Sequence, residues 1–257
     1  MMIYFASDVH LGAGDERSAR ALERRFVEWL DRAARDAEAI FLVGDIFDFW
    51  FEYRRVVPKG FVRTLGKLAQ LTDRGIRVVF FTGNHDMWVG DYLARECGVE
   101  IFTSPQLLTL HGRQVFVAHG DNMKIDGQPV LKLLNRTFRS RTLRRLFSWG
   151  LHPDLALKFG HWWSGKSRKK HIVADERARR TGCGGGFDAS LTEPLIEYAR
   201  EYAATHRVDH FVFGHMHFAR EFRDGELHVV NLGGWEKNPS YAVLDDAGEL
   251  TLKMLES

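Results

Sequence analysis

Ala39-Ile40-Phe41-Leu42-Val43 is an unbroken apolar run that stops at Gly44-Asp45-Ile46-Phe47-Asp48. A short continuous run of this kind, rich in branched and aromatic residues, predicts a buried strand. The glycine lets the chain turn sharply just past that strand and brings backbone close to a small site. The same pattern recurs on both sides. Upstream, Ile3–Ser7 runs into Asp8-Val9-His10; downstream, Val78–Thr82 runs into Gly83-Asn84-His85-Asp86. Between the first two runs, Ser18–Ala37 places Leu22, Phe26, Trp29, Leu30 and Ala33 at helical spacing. Between the second and third, Phe61–Arg74 does so with Phe61, Leu65, Leu68 and Leu71. Strand–helix–strand–helix alternation predicts an α/β core.

Further along, Leu107–Leu110 and Val115–Ala118 flank His111-Gly112-Arg113, a hairpin signal. His210–Phe213, Leu227–Asn231, Tyr241–Leu244 and Leu250–Met254 are short runs at hairpin spacing, and are expected to pair antiparallel. From about 126 to 180 the pattern becomes helical, basic and rich in Leu, Phe and Trp, punctuated by Pro129 and Pro153. This predicts a single domain over 1–257 carrying a helical basic insertion.

The chain has 257 residues, 45% of them hydrophobic and 27% charged, which excludes disorder and low complexity. Its formal net charge of +2 does not suggest a nucleic-acid binder. The charge is unevenly spread: Lys124 to Arg180 holds 15 Lys/Arg against 4 Asp/Glu, which reads either as a contact for an anionic partner or as a solvated helical face. No apolar run is long enough to span a membrane. The first residues show no basic-then-apolar leader, so no secretory signal is expected. Two cysteines, Cys97 and Cys183, argue against a disulfide framework and fit a reducing compartment.

The chemistry gathers in five polar clusters, each at the end of an apolar run. They are Asp8-Val9-His10, Gly44-Asp45-Ile46-Phe47-Asp48, Gly83-Asn84-His85-Asp86, His119-Gly120-Asp121 and Gly214-His215-Met216-His217. Their donors are oxygen and nitrogen, with no cysteine. Such a set leaves Mn²⁺, Fe, Zn²⁺ and Mg²⁺ open, with its imidazoles pointing away from Mg²⁺. Residues i and i+2 of an extended chain share a face, so Asp8/His10 and His215/His217 can each address one metal or two adjacent ones. A carboxylate such as Asp45 can bridge two cations at the ~3.5–4 Å separation of two-metal hydrolytic sites.

Taken singly, each cluster has an ordinary reading as a capped turn, a helix N-cap or an exposed strand end. Their conjunction overturns those readings. Outside them, His111 reads as a turn residue, and His206 and His210 as surface or packing residues. His152, His161 and His171 read as helix-face histidines of the insertion. Trp50, Phe51 and Tyr53 read as core, with an apolar or base-stacking wall as the alternative. Gly182-Cys183-Gly184-Gly185-Gly186 lacks the Lys-Ser/Thr of a phosphate loop and reads as a hinge or loop.

Asp-x-His, Gly-Asp-x-x-Asp, Gly-Asn-His-Asp, His-Gly and Gly-His-x-His, in this order, resemble the calcineurin-like metallophosphoesterase superfamily. The five motifs run from Asp8 to His217, most of the chain. The resemblance implies an α-β-β-α sandwich of two mixed sheets, with the insertion as a lid. It implies that Asp8, His10 and His217 bind one metal, that Asn84, His119 and His215 bind a second, and that Asp45 bridges them. His85 would face substrate as the catalytic residue rather than bind metal. Asp48 and Asp86 would orient the groups around it. The reaction implied is attack of cation-activated water on a phosphoester or phosphoanhydride.

Within the superfamily, the chain length, the Asp-Val-His-Leu start, His119-Gly120-Asp121 and the insertion before Gly-His-x-His resemble the UDP-2,3-diacylglucosamine hydrolases of lipid A biosynthesis. That resemblance implies cleavage of a pyrophosphate to UMP and 2,3-diacylglucosamine 1-phosphate. It also implies Mn²⁺ as the expected ion and peripheral attachment to the cytoplasmic face of an anionic inner membrane. Lys166, Arg168 and Lys169 become candidates for phosphate contact, beside Asn84 and His85. The sequence departs from the best-known members at one position: they carry Gly-Asn-Arg-Asp, and here His85 stands for the arginine. Histidine can protonate a leaving group, whereas arginine only stabilises charge, so nucleotide and other phosphoester substrates stay open at this point.

Overall fold

The computed structural model describes residues 1–53, 55–123, 152, 155 and 193–256. In chain order its first elements are β1 (Met2–Ala6), α1 (Glu16–Ala33), β2 (Ala37–Val43), α2 (Val62–Asp73), β3 (Arg77–Phe81), α3 (Tyr92–Cys97) and β4 (Glu100–Phe102). Next come β5 (Gln106–Leu110), β6 (Arg113–Ala118), α4 (Glu193–Ala203), β7 (His210–Phe213), β8 (Ala219–Asp224), β9 (Leu227–Leu232), β10 (Ser240–Leu244) and β11 (Leu250–Met254). They build two mixed sheets, one of six strands in the order β11-β10-β1-β2-β3-β4 and one of five in the order β5-β6-β7-β9-β8.

The apolar runs are continuous because both faces of the central strands are buried. Along β2, Ile40 and Leu42 pack with Phe26 and Leu30 of α1 and Leu68 and Leu71 of α2. The alternate residues Phe41 and Val43 pack between the sheets, with Val117, Val212 and Val230. On the far face of the second sheet, Phe116, Phe211 and Phe213 meet Leu195 and Ala199 of α4. The layers are therefore helices, sheet, sheet and helix. Helix α1 starts where the Asp15 side chain accepts from the Ser18 N–H at 2.8 Å, an N-cap. It ends at Ala33, short of the expected Ala37, because Ala37 already opens β2.

The early strands, both expected helices and the β5–β6 hairpin form at the expected places. The late strands need correction. The β8–β9 and β10–β11 pairs are antiparallel hairpins, but β7 runs parallel to both β6 and β9. The cause is β8, which the sequence reading missed. It is a charged edge strand, Ala-Arg-Glu-Phe-Arg-Asp, with no apolar run to announce it. Its hairpin returns β9 between itself and β7, in β7's own direction. Segment 126–180, where the helical insertion is expected, lies outside the described residues except for His152 and Leu155, as does Gly182–Gly186.

His210, expected on the surface or in packing, is buried against His228. Their Nδ1 atoms share a hydrogen bond at 2.8 Å; His210 Nε2 donates to the Gly248 carbonyl at 3.0 Å, and His228 Nε2 lies 3.1 Å from Glu221 Oε1. Burial pushes His228 down to about 4, with the charges of Arg223 and His210 adding to it. Burial also lowers His210. A histidine depressed in the folded state takes up its proton more readily once unfolded, so this stability is present above the ordinary value of 6.5 and is lost as pH falls toward 4. For His228→Gln, the melting temperature should fall less steeply over that interval than for the parent chain. Equal slopes would show that the pair does not titrate there.

Candidate metal centre

The five polar clusters, spread over some two hundred residues, converge at the C-terminal ends of β1, β2, β3, β6 and β7. Asp8, His10, Asp45 and His217 place donor atoms close enough to share one ion; Asp45, His119 and His215 form a second such group. Asp45 belongs to both. His10 Nε2 lies 3.2 Å from His217 Nε2, and His217 Nε2 lies 3.4 Å from Asp8 Oδ1. On the other side, His119 Nε2 is 3.4 Å from Asp45 Oδ2 and 3.3 Å from Asn84 Oδ1. All seven expected ligand positions thus come together.

Each central carboxylate uses its two oxygens differently. Asp8 Oδ2 accepts from the His215 N–H at 2.9 Å, and Asp45 Oδ1 accepts from the His85 N–H at 2.8 Å. Among the described residues, Asp8 Oδ1 and Asp45 Oδ2 are buried with no hydrogen-bond donor, and these are the oxygens that face the imidazoles. A buried carboxylate oxygen without a donor is costly, and a divalent cation satisfies it. The donor set therefore fits a metal on an observation independent of any motif.

The backbone is bent to make this possible. Asp8, His10, Asp45, His215 and His217 all have positive φ, between 51° and 69°. Asp and His tolerate that region better than most residues, but it still costs on the order of 1 kcal/mol each. Main-chain bonds hold the bends: Asp8 N–H to Gly44 O at 3.1 Å, His10 N–H to Asp45 O at 3.0 Å and Gly214 N–H to His119 O at 3.0 Å. Two glycines are required by close approach. A Cβ on Gly44 would sit 2.5 Å from His119 Nδ1, and one on Gly83 would overlap the Asp45 carboxylate.

Supporting groups fix the rings. His119 Nδ1 donates to the Val43 carbonyl at 3.0 Å, which leaves Nε2 for the centre. Asp48 Oδ1 lies 3.6 Å from His10 Nδ1, and its main-chain carbonyl accepts from His85 Nδ1 at 2.9 Å. His85 Nε2 is then 3.9 Å from Asp45 Oδ2, at the edge of the cluster. Asp86 lies beneath it, accepting from the N–H groups of Gly83 at 2.7 Å, Ile46 at 2.8 Å and Phe47 at 3.3 Å. It ties the second and third clusters together.

Burial raises the Asp8 carboxyl, and the Asp45 charge adds to it against the pull of His119 and His10. In Asp45, burial is outweighed by His119, His85 and His10, which hold it well below the usual carboxylate range. Asp86 is pushed up to about 7, by burial first and then by Asp45. Burial opposes charge on His119, yet Asp45, Asp8 and Asp121 raise it well above an ordinary imidazole.

One supporting segment escaped the sequence reading. Gly233-Gly234-Trp235 follows β9, where Trp235 N–H donates to Asp8 O and Gly234 N–H to His217 O. Its signal was the same as the others, glycine at the end of an apolar run. Trp50 and Phe51 are core, while Tyr53 is half-buried. Lys166, Arg168 and Lys169 lie outside the described residues.

Residues 1–219 match the calcineurin-like phosphoesterase family. The chain belongs to that family. It is similar to a UDP-2,3-diacylglucosamine hydrolase from Porphyromonas gingivalis, 38% identical over 99% of this chain and 97% of that protein. The enzyme of the same name from Haemophilus influenzae (strain Rd) is 28% identical over 96% of each chain. That from Pseudomonas aeruginosa is 30% identical over 92% of each. For this calcineurin-like phosphoesterase, Asp45→Ala should lower bound metal and reduce hydrolysis by at least about a hundredfold while the far-UV spectrum persists. Metal content by plasma mass spectrometry, read beside turnover, checks it; full turnover would remove Asp45 from the centre.

Proposed function

We propose that this chain hydrolyses the pyrophosphate of UDP-2,3-diacylglucosamine, releasing UMP and 2,3-diacylglucosamine 1-phosphate. The observation that carries a hydrolytic reading is the pair of buried, donorless carboxylate oxygens within a ring of imidazoles. The relatives of that name, aligned along nearly the whole chain, support the substrate.

Asp8, His10 and His217 would hold one divalent ion, Asn84, His119 and His215 a second, and Asp45 both, with Mn²⁺ the expected metal. Bound there, such ions neutralise the charge of a pyrophosphate and acidify water, and no protein nucleophile is required. The chain's own task is orientation. Because the Asp48 carbonyl can only accept, His85 Nδ1 carries a proton. His85 Nε2 therefore donates to a leaving oxygen only as the imidazolium, and as the neutral ring it can only accept. Asp48 and Asp86 act through the groups they position.

The chain would act as one domain, with 126–180 as a basic lid over the acyl chains and Lys166, Arg168 and Lys169 as phosphate contacts. Among the described residues no helix is long and apolar enough to cross a membrane. Attachment is proposed as peripheral, on an anionic inner-membrane face toward the cytoplasm.

The test is turnover of UDP-2,3-diacylglucosamine by metal-stripped protein, with and without Mn²⁺, beside a soluble aryl phosphodiester. Manganese-dependent release of UMP from the lipid is expected. Cleavage of the aryl ester alone would keep the hydrolytic centre and move the substrate to nucleotides or other phosphoesters. His85→Ala should slow UMP release about a hundred-fold and leave metal content intact, within the usual range for one general acid. Loss of metal in that variant would make His85 a ligand.

A further inference from the structure

We propose that the loop joining the Asp45 cluster to α2 docks on an anionic lipid bilayer beside the candidate site. Its exposure is unusual. Val62 is 75% exposed and Val56 is 50% exposed, on a loop that spends other apolar residues on the core. Phe61 shows the division. It sits in left-handed backbone at φ 58° and packs on Phe47 and Trp50, at ring distances of 5.0 Å and 6.2 Å, while its neighbour Val62 stands in solvent. Val56 and Val62 are thus apolar side chains turned outward beside one that packs on the core.

The charge carried by the loop itself has one sign. Between Glu52 and Asp73 the sequence carries Arg54, Arg55, Lys59, Arg63 and Lys67, and no acid. Arg55, Lys59 and Arg63 are exposed. Three acids of α1 approach this surface, and all are answered: Asp31 pairs with Lys67 at 2.6 Å. Glu16 pairs with Arg20; Glu23 accepts from the Thr64 N–H at 3.3 Å and lies 3.8 Å from Arg63. Among the described residues, Arg55 and Lys59 have no acidic partner. Exposed valines flanked by unpaired cations match the acyl–headgroup boundary of an anionic membrane. A nucleic acid would use the cations and leave the valines idle.

The shape agrees. A cavity of about 660 Å³ lies under the loop, lined by Gly12, Phe49, Val57 and Phe61 and by the ion-paired Glu16 and Glu23 among others. Gly12 is two residues from His10, and Phe49 is next to Asp48. The docking surface therefore borders the centre, where an enzyme drawing a lipid substrate from a bilayer needs its contact. That purpose rests on the proposed lipid substrate; the surface itself does not, and neither does the test.

The full chain would be sedimented with vesicles of phosphatidylcholine alone and with about one-third phosphatidylglycerol, as parent, R55E/K59E and V56S/V62S. Preference for the anionic vesicles is expected, with each double variant partitioning about tenfold more weakly. Manganese-dependent hydrolysis of a soluble aryl phosphodiester without vesicles should be unchanged in both. Variants that bind as the parent does would overturn the proposal, as would a parent that ignores both vesicles. A loss confined to R55E/K59E would also overturn it, leaving a basic patch for a soluble polyanion. Vesicle binding without cleavage of UDP-2,3-diacylglucosamine would sink the substrate reading and leave this one standing.

Discussion

Asp8 and Asp45 are buried carboxylates, each with one oxygen tied to a main-chain N–H and the other left without a donor. An arrangement of this kind costs roughly a few kcal/mol per unsatisfied group, so the surrounding fold has to impose it. Much of the architecture can be read as that imposition. The tied oxygen fixes the orientation of each carboxylate, and the free oxygen is thereby directed at imidazoles from distant parts of the chain. Asp45 sits at the junction of the two donor groups. Its backbone is held by His10, and its own carboxylate holds the backbone of His85.

The two packed sheets make the junction rigid. Their shared core brings the ends of β1, β2 and β3 to the ends of β6 and β7. Strands buried on both faces cannot slip by one residue without exposing large apolar groups, so the donor positions at their ends are set by packing. The left-handed bends at five donor residues then turn side chains inward within two to four residues of the strand end. Strain and unsatisfied polarity thus coincide at one place, as expected where structure is spent on function.

The same principle separates the groups by task. His119 is gripped at Nδ1 by the Val43 carbonyl, His10 is approached at Nδ1 by Asp48, and each presents Nε2 to the centre. His85 is gripped the same way but stands at the rim. Asp86 accepts three main-chain bonds, which hold together the loops that carry Asp45 and His85. Chemistry at the centre is therefore coupled to main-chain geometry one layer deeper.

The alternation of buried strands and amphipathic helices was legible in the residues, because burial on both faces leaves continuous apolar runs and burial on one helical face leaves a 3.6-residue stripe. Donor identity was legible too, since each cluster closes such a run and carries side chains that ligate. Other features were not. Edge strand β8 has no apolar pattern to betray it, and its presence reversed the expected direction of β7 against β9. The Gly233-Gly234-Trp235 support and the His210–His228 pair depend on neighbours far away in sequence. Residue types and local periodicity determined which groups this protein carries and on which elements. Only the tertiary structure decided which oxygen of Asp8 and Asp45 is left free, and which imidazole nitrogen faces it, because both follow from contacts between strands whose order in the sheets no local pattern encodes.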